Sequence, residues 1–506
     1  MQPSLSSSPV RLVSLRVLMY ATALLLNILS SIVLARRLSQ LDYAAFQFAT
    51  KRIITYATVP LGIFSIWMYR YLVVRRRGSF EAGLAIAFIT AVLGVALGFI
   101  IELLEARVNA YIAVAAGLAV MGQAALGSIN TMLDAVRPLR LALLTLVYRL
   151  VYSITIVIVL YVITPSLLYA FIATSVIATL SALLGLKWLV EALGSSFNLR
   201  DAASTLSEWL RTSHPLLIGY AMSFLASLDA TVAYPLVGSD VVAAFFVASS
   251  VATLVRESSN TGLRYLHSYV MRTRDVVGGI RSLYLILTLA IPLLVYAAVH
   301  PIYIIYVFNF RYTWAAEAFT VFMLTAIVEI INGGLSNISM GVIGEVGPSS
   351  VQRFTRLMSI SSIPNVIYLA GLVVAFVVLR GMPDYVAILA WSAVYMARFI
   401  LSVLLYYFKF IDAKGRAYLR ALAYRRLTAY IVVSAVLALA IRPWERPQVG
   451  LLRSIEVIVP PAAIYLSIYY LIVLLLDREL RTSVRRLVAA LMSQPSGWRL
   501  LTGATY

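Results

Sequence analysis

Residues 17–37 read VLMYATALLLNILSSIVLARR, an apolar run from Val17 to Leu34 that follows Arg11 and Arg16 and is closed by Arg36 and Arg37. A helix of about 18 such residues matches the hydrocarbon thickness of a bilayer. No small-residue cleavage site follows it, so the run reads as a retained first membrane span and not as a signal peptide.

The same pattern recurs along the chain, near 45–68, 82–103, 110–132, 141–163, 166–189, 213–237, 241–263, 282–306, 314–342, 357–379, 385–408, 427–441 and 457–476. Fourteen helices of roughly 20 residues use about 280 positions. With 62% hydrophobic and only 12% charged residues in 506, a soluble globular fold is excluded. The fold class expected is all-α: a polytopic membrane protein of about fourteen helices, arranged as two pseudo-symmetric six-helix lobes with two C-terminal helices.

Charge in the loops orients the chain. Arg70, Arg75, Arg76 and Arg77 follow the second span, Arg137 and Arg140 the fourth, and Arg264, Arg272, Arg274 and Arg281 the eighth. Arg353 and Arg356 follow the tenth; Lys409, Lys414, Arg416, Arg420, Arg425 and Arg426 follow the twelfth. Odd-numbered loops carry few cations, which places both termini and the basic loops in the cytoplasm of a multi-pass plasma-membrane protein. Arg36 and Arg37 in the first loop, and Arg442, Arg446 and Arg453 in the thirteenth, break this rule. The 41 Lys and Arg against 21 Asp and Glu point to anionic lipid headgroups, not to nucleic acid.

The longest break, Val190 to Thr212, divides the chain into an N-terminal lobe (1–189), a cytoplasmic linker (190–212), a second lobe (213–411) and a region of two further helices with an amphipathic tail (412–506). Leu206, Trp209 and Leu210 fall at helical spacing in the linker, and Leu480, Val484, Leu487 and Leu491 form an apolar stripe beside Arg481, Arg485 and Arg486; both read as helices lying on the membrane surface. The segment 32–35 with 44–49 parallels 231–233 with 243–248, each at a span, a short turn and the next span. Repeats six spans apart share one orientation.

Several chemistries are missing. Cysteine is absent and no lysine follows a glycine, so thiol chemistry and a Walker-type phosphate loop are excluded. His214, His267 and His300 lack metal-ligand spacing and read as ordinary interfacial histidines. No Asp-x-Asp pair occurs and the outer loops are short. The chain reads as a carrier with no enzymatic activity, no cofactor and no metal.

Ionisable side chains inside spans cost roughly 2.5–3.5 kcal/mol each on insertion scales and normally face a cavity or a partner. Lys51 and Arg52 lie in the second span, Arg149 in the fifth, Asp229 in the seventh, Glu329 in the tenth and Arg398 in the twelfth. A cavity lined by these would attract an anion such as phosphate or pyrophosphate; the competing reading is internal ion pairing, or snorkelling of Lys51 and Arg52. The neighbours Arg256 and Glu257 read as structural. Tyr148, Tyr152, Tyr220 and Tyr234 are candidates to stack on sugar faces.

Three segments carry a family resemblance: the turn from Ile32 to Tyr43; Leu228-Asp229 with Val237-Gly238; and Pro301 to Ala318, with Phe308-Asn309-Phe310-Arg311-Tyr312. They resemble the polysaccharide and O-antigen flippases of the multidrug/oligosaccharidyl-lipid/polysaccharide exporter superfamily, with Ser39, Ala44 and Asn309 standing at family glycines. The resemblance implies two six-helix lobes around a central cavity and alternating access for a lipid-linked sugar on polyprenyl or dolichyl phosphate or pyrophosphate. Lys51, Arg52, Arg149 and Arg398 would bind the substrate, Asp229 and Glu329 would couple or gate, and membrane lipids and glycan-assembly enzymes would be the partners. The rival expectation is a cation-coupled exporter of drugs or metabolites, worked by Asp229 and Glu329.

Overall fold

A computed structural model describes residues 9–105, 109–194, 198–343, 351–482 and 485. The described residues are helical almost throughout. The spans are α1 (Pro9–Arg37), α2 (40–73), α3 (Ser79–Glu105), α4 (Ala110–Val136), α5 (Pro138–Ile163), α6 (Leu167–Leu193), α7 (214–237), α8 (Ser239–Thr273), α9 (Val276–Val299), α10 (Ala316–Ile343), α11 (Val351–Val378), α12 (Asp384–Lys409), α13 (Ala413–Ala440) and α14 (Leu451–Leu476). Among the described residues twelve helices are long and apolar enough to cross a membrane. The two expected spans outside that set are present as α1 and as the interrupted α2.

Two of the spans are interrupted. In α2 a π-helical stretch, Phe48–Ile53, carries Lys51 and Arg52, and the helix breaks again at Thr58, ahead of Pro60, which has no N–H to give the preceding turn. The break in α7 comes at Leu228 (φ −75°, ψ 0°), so that Asp229 opens a new segment and its carboxylate accepts the Ala230 N–H at 2.7 Å.

Packing repeats from half to half. α1 packs on α5, α3 on α4 and α4 on α6; six spans later α7 packs on α11, α9 on α10 and α10 on α12. Phe46 of α2 stacks on Phe171 of α6 with ring centres 5.2 Å apart, and Phe245 of α8 stacks on Trp391 of α12 at 3.9 Å. These are corresponding spans, and the small-aromatic repeat read in the sequence supplies both rings. The halves meet through α1 and α2 against α8, and through α2 against α7. Exposed Leu, Val and Ile such as Val162 and Leu180 belong to the lipid-facing surface.

The linker forms a helix, Leu199–Thr212, docked on α3. Its Trp209 is fully buried against Phe64 and Tyr71, and Glu208 pairs with Arg76 at 2.5 Å, while Leu210 points outward. α13 and α14 pack on α9: Tyr465 donates to the Pro292 carbonyl at 3.0 Å and shares a hydrogen bond with Ser434, and Arg426 pairs with Glu479 at 2.6 Å. The surface helix expected at 480–491 lies, beyond Thr482 and apart from Arg485, outside the described residues.

Two loop assignments change. Arg70 is not on a headgroup-facing loop but inside α2, 1% exposed, because it lies more than a helical turn inward of Arg75–Arg77. Arg36 and Arg37, the exceptions to the charge rule, are bound to protein. Arg36 donates to the carbonyls of Tyr306 (2.5 Å), Val307 (2.7 Å) and Val449 (2.8 Å), and Arg37 to Leu160 at 3.0 Å.

Candidate functional site

Between the halves lies a cavity of about 640 Å³, bounded by α2 and α4 on one side and α7, α8, α10, α11 and α12 on the other. Its lining is polar and aromatic, with Ser65, Tyr220, Asn332, Asn365, Tyr406 and the cation Arg398. Arg398 Nε donates to Asn365 Oδ1 at 2.9 Å and its guanidinium lies 5.0 Å from the ring centres of Tyr368 and Phe399. Among the described residues it forms no ion pair. Asp134 and His267 line the same space.

The cavity is bridged towards both membrane faces. On the face of the basic loops, Arg70 Nη2 of the first half meets His267 Nε2 of the second at 3.2 Å, and the Arg70 guanidinium lies 4.8 Å from the Phe354 ring centre. On the far face, besides the Arg36 contacts, the Asn309 side-chain amide donates to the Ala35 carbonyl at 3.1 Å.

Apart from Arg398 in the central cavity, the intramembrane positions divide into three groups. Arg52 reaches across the halves to Asp229, with Nη2 at 2.8 Å from Oδ1 and 3.0 Å from Oδ2. Asp229 is 1% exposed and also accepts the Tyr368 hydroxyl at 2.8 Å, which in turn accepts the Trp391 Nε1–H at 2.9 Å. Glu329 pairs with Arg256 at 3.2 Å, and Arg256 also lies 3.9 Å from Glu257 and donates to the Tyr395 hydroxyl at 3.3 Å. Both carboxylates are thus held by arginine, and Arg256 is bound mainly to Glu329, not to its chain neighbour.

Lys51 and Arg149 form the third group. They line a second cavity, of about 280 Å³, between α1, α2, α4, α5 and α8. Arg149 Nη1 donates to Asn27 Oδ1 at 2.6 Å, and Lys51 Nζ lies 5.7 Å from the Phe246 ring centre. Neither forms an ion pair among the described residues. Tyr148 and Tyr152 are buried and stacked at 5.8 Å along the same wall; Tyr220 lines the central cavity, whereas Tyr234 is half exposed away from both.

Sequence reading set Arg70 in a basic loop, read Arg256 as structural, and missed Tyr368 and the amides Gln47, Asn130 and Asn365. An amide within an apolar run is a weaker form of the signal that picked out the charges: Gln47 sits in Ala45-Phe46-Gln47-Phe48-Ala49. The histidines also differ from expectation. His267 lies inside the bundle against Arg70, because α8 continues past the predicted span, and buried His300, at the end of α9, bonds the Ala438 carbonyl at 2.8 Å; the side chain of His214 lies outside the described residues. Among the described residues no cluster of His, Asp and Glu is arranged to hold a metal.

No family model and no curated protein matches the sequence. Solved structures do match. A multidrug resistance MATE family transporter of the MOP superfamily in its inward-facing conformation is 14% identical with a TM-score of 0.53, covering 82% of this chain and 99% of that one. An outward-facing conformation of such a transporter gives 16% identity and 0.55 over 83% of this chain and 98% of that one. Lipid II flippase MurJ in an inward closed conformation gives 13% and 0.55 over 90% of this chain and 99% of its own. The chain has the MATE and MurJ fold. The two-lobe architecture expected from the repeat is the architecture of that fold, and the match to the flippase extends over more of this chain than the matches to the transporters.

Proposed function

We propose that this chain is a flippase: it carries a lipid-linked oligosaccharide or polysaccharide precursor from the basic, cytoplasmic face to the outer leaflet of the plasma membrane by alternating access. The observation that supports this reading is how charge is distributed among the cavities. Lys51, Arg149 and Arg398 face internal space and form no ion-pair contact among the described residues, while Asp229 and Glu329 are each engaged by an arginine. An anionic cargo complements such an interior; a cationic drug would find its carboxylates occupied and its path lined by like charge. A cation-coupled exporter would need one of those two pairs to open in its resting state.

In this reading Arg398 and the aromatic and amide lining of the central cavity receive the headgroup. The Arg52–Asp229 pair holds the halves together and exchanges as they rock, while Arg256–Glu329 ties α8 to α10 within the second half. A negative-inside potential drives outward movement of an anion by roughly 2.3 kcal/mol per charge per 100 mV, so the gradient itself supplies a driving force. Glycan-assembly enzymes would deliver the substrate at the basic face.

The test is transbilayer movement of a fluorescent lipid-diphosphate-oligosaccharide in proteoliposomes, read by protection from an external lectin. The native chain is expected to move it, and an inserted Arg398→Ala variant to lose most of that activity. Absence of movement in the native chain, together with uptake of a lipophilic organic cation, would overturn the reading.

A further inference from the structure

Arg52 holds Asp229 with a single nitrogen. Its Nη2 serves both carboxylate oxygens while Nε is buried without a hydrogen-bond partner, so the pair lacks the two-nitrogen fork that makes arginine–carboxylate contacts strong. The other contacts of Asp229 come from its own half: the Ala230 N–H on Oδ1 and the Tyr368 hydroxyl on Oδ2. Arg52 and Asp229 both lie nearer the far end of their helices, so opening of the far face separates them. Arg52 then leaves with α2 and the aspartate stays on α7. A buried carboxylate stripped of its partner is strongly unfavourable.

The second half holds a replacement. Arg256 is already taken by Glu329, whereas Arg398, on α12, forms no ion pair among the described residues. The Arg398 guanidinium lies 5.0 Å from the ring centre of Tyr368, whose hydroxyl Asp229 accepts, and its charge already acts on that carboxylate. Its Nε is committed to Asn365, and its two terminal nitrogens make no hydrogen bond among the described residues.

We propose that Arg52 and Arg398 are alternate partners of Asp229, and that the exchange between them empties the central cavity as the far face opens. With the seam shut, Asp229 sits on Arg52, and Arg398 is free to hold an anion in the cavity it lines. As α2 withdraws, the aspartate takes Arg398 and displaces the anion held there. The cavity therefore binds while the seam is shut and lets go as it opens. Tyr368 is the positioning residue: its hydroxyl keeps the carboxylate within reach of both arginines. The inference rests on the flippase reading only for the identity of the anion.

The experiment is a mutant cycle on thermal unfolding of the purified full chain, with no cargo added. Two residues that share one partner are not additive. Arg52→Gln lowers the unfolding midpoint, and Arg398→Gln is expected to lower it further in that background than in the native one, because Asp229 then has neither arginine. The excess is expected to vanish when both changes are made beside Asp229→Asn. Midpoint shifts that simply add overturn the proposal. So does an excess that persists with Asp229→Asn, which assigns it to repulsion between the two arginines. Should the Arg52→Gln variants fail to fold, spin labels on Val162→Cys and Tyr385→Cys, exposed at the far ends of α5 and α12, read the separation of the halves in a chain with no other thiol. Arg398→Gln is then expected to shift the distances towards the shorter, shut arrangement, and distributions identical to the native chain's overturn the proposal instead. Lectin-protected movement with additive midpoint shifts defeats the exchange and leaves the flippase; an excess that depends on Asp229, without movement, does the reverse.

Discussion

Arg52 and Asp229, 177 residues apart in sequence, meet at 2.8 Å across the seam between the halves, with the Tyr368 hydroxyl closing on the same carboxylate. The aspartate is buried, so removing the arginine leaves an uncompensated charge. Arg52→Gln and Asp229→Leu are each expected to destabilise the folded chain by about 3–5 kcal/mol, and the double variant by less than either alone. A double-mutant cycle on thermal unfolding reads this directly. Simple addition of the two costs would show that the pair contributes nothing as a pair.

Closure of the far face depends on the Asn309 amide reaching the Ala35 carbonyl and on the three carbonyls taken by Arg36. Because the chain has no cysteine, Ala35→Cys with Asn309→Cys adds the sole reactive pair. Joining them with a short cleavable thiol reagent is expected to abolish transport, and cleaving the link to restore it. Full transport by the linked protein would mean that this seam does not open.

The opposite face is bridged by Arg70 and His267. Arg70→Ala should open the central cavity towards the basic loops. A Ser336→Cys reporter inside the cavity is then expected to react severalfold faster with a membrane-impermeant maleimide supplied from that face. Unchanged labelling would assign closure to other residues.

Gly98 lets α3 lie against α4 backbone to backbone: a Cβ there would stand 2.7 Å from the Cα of Gly117. Small residues at such crossings carry helix association in membranes. Gly98→Val is expected to cost about 1–3 kcal/mol or more, seen as a lower unfolding midpoint and less monodisperse protein. Gly371→Ala, whose added carbon would meet Val394 at an ordinary 3.4 Å, should be nearly silent. Equal effects would remove the close crossing as the cause.

Span positions were legible in the sequence because each apolar run has the length of a bilayer and each loop its own charge. The two-lobe repeat was legible through small-aromatic segments that place Phe46 and Phe245 in corresponding stacks. Pairing was not. Arg52 and Asp229 lie 177 residues apart and Arg256 and Glu329 lie 73 apart, and no local spacing encodes such a contact. Arg70 was hidden by its neighbours Arg75–Arg77, although its setting in Trp67-Met68-Tyr69-Arg70-Tyr71-Leu72 already placed it within apolar sequence. The parting of the neighbours Lys51, on the smaller cavity, and Arg52, on Asp229, falls in the π-helical stretch of α2, which has no marker in composition.

The Arg36 contacts also set a constraint on how the chain is made. Its partners at Tyr306 and Val307 are synthesised some 270 residues after it. Until that segment is made, Arg36 has neither of these two acceptors, and a ribosome-bound fragment ending before Tyr306 carries an arginine at the end of its first helix whose carbonyl partners do not yet exist.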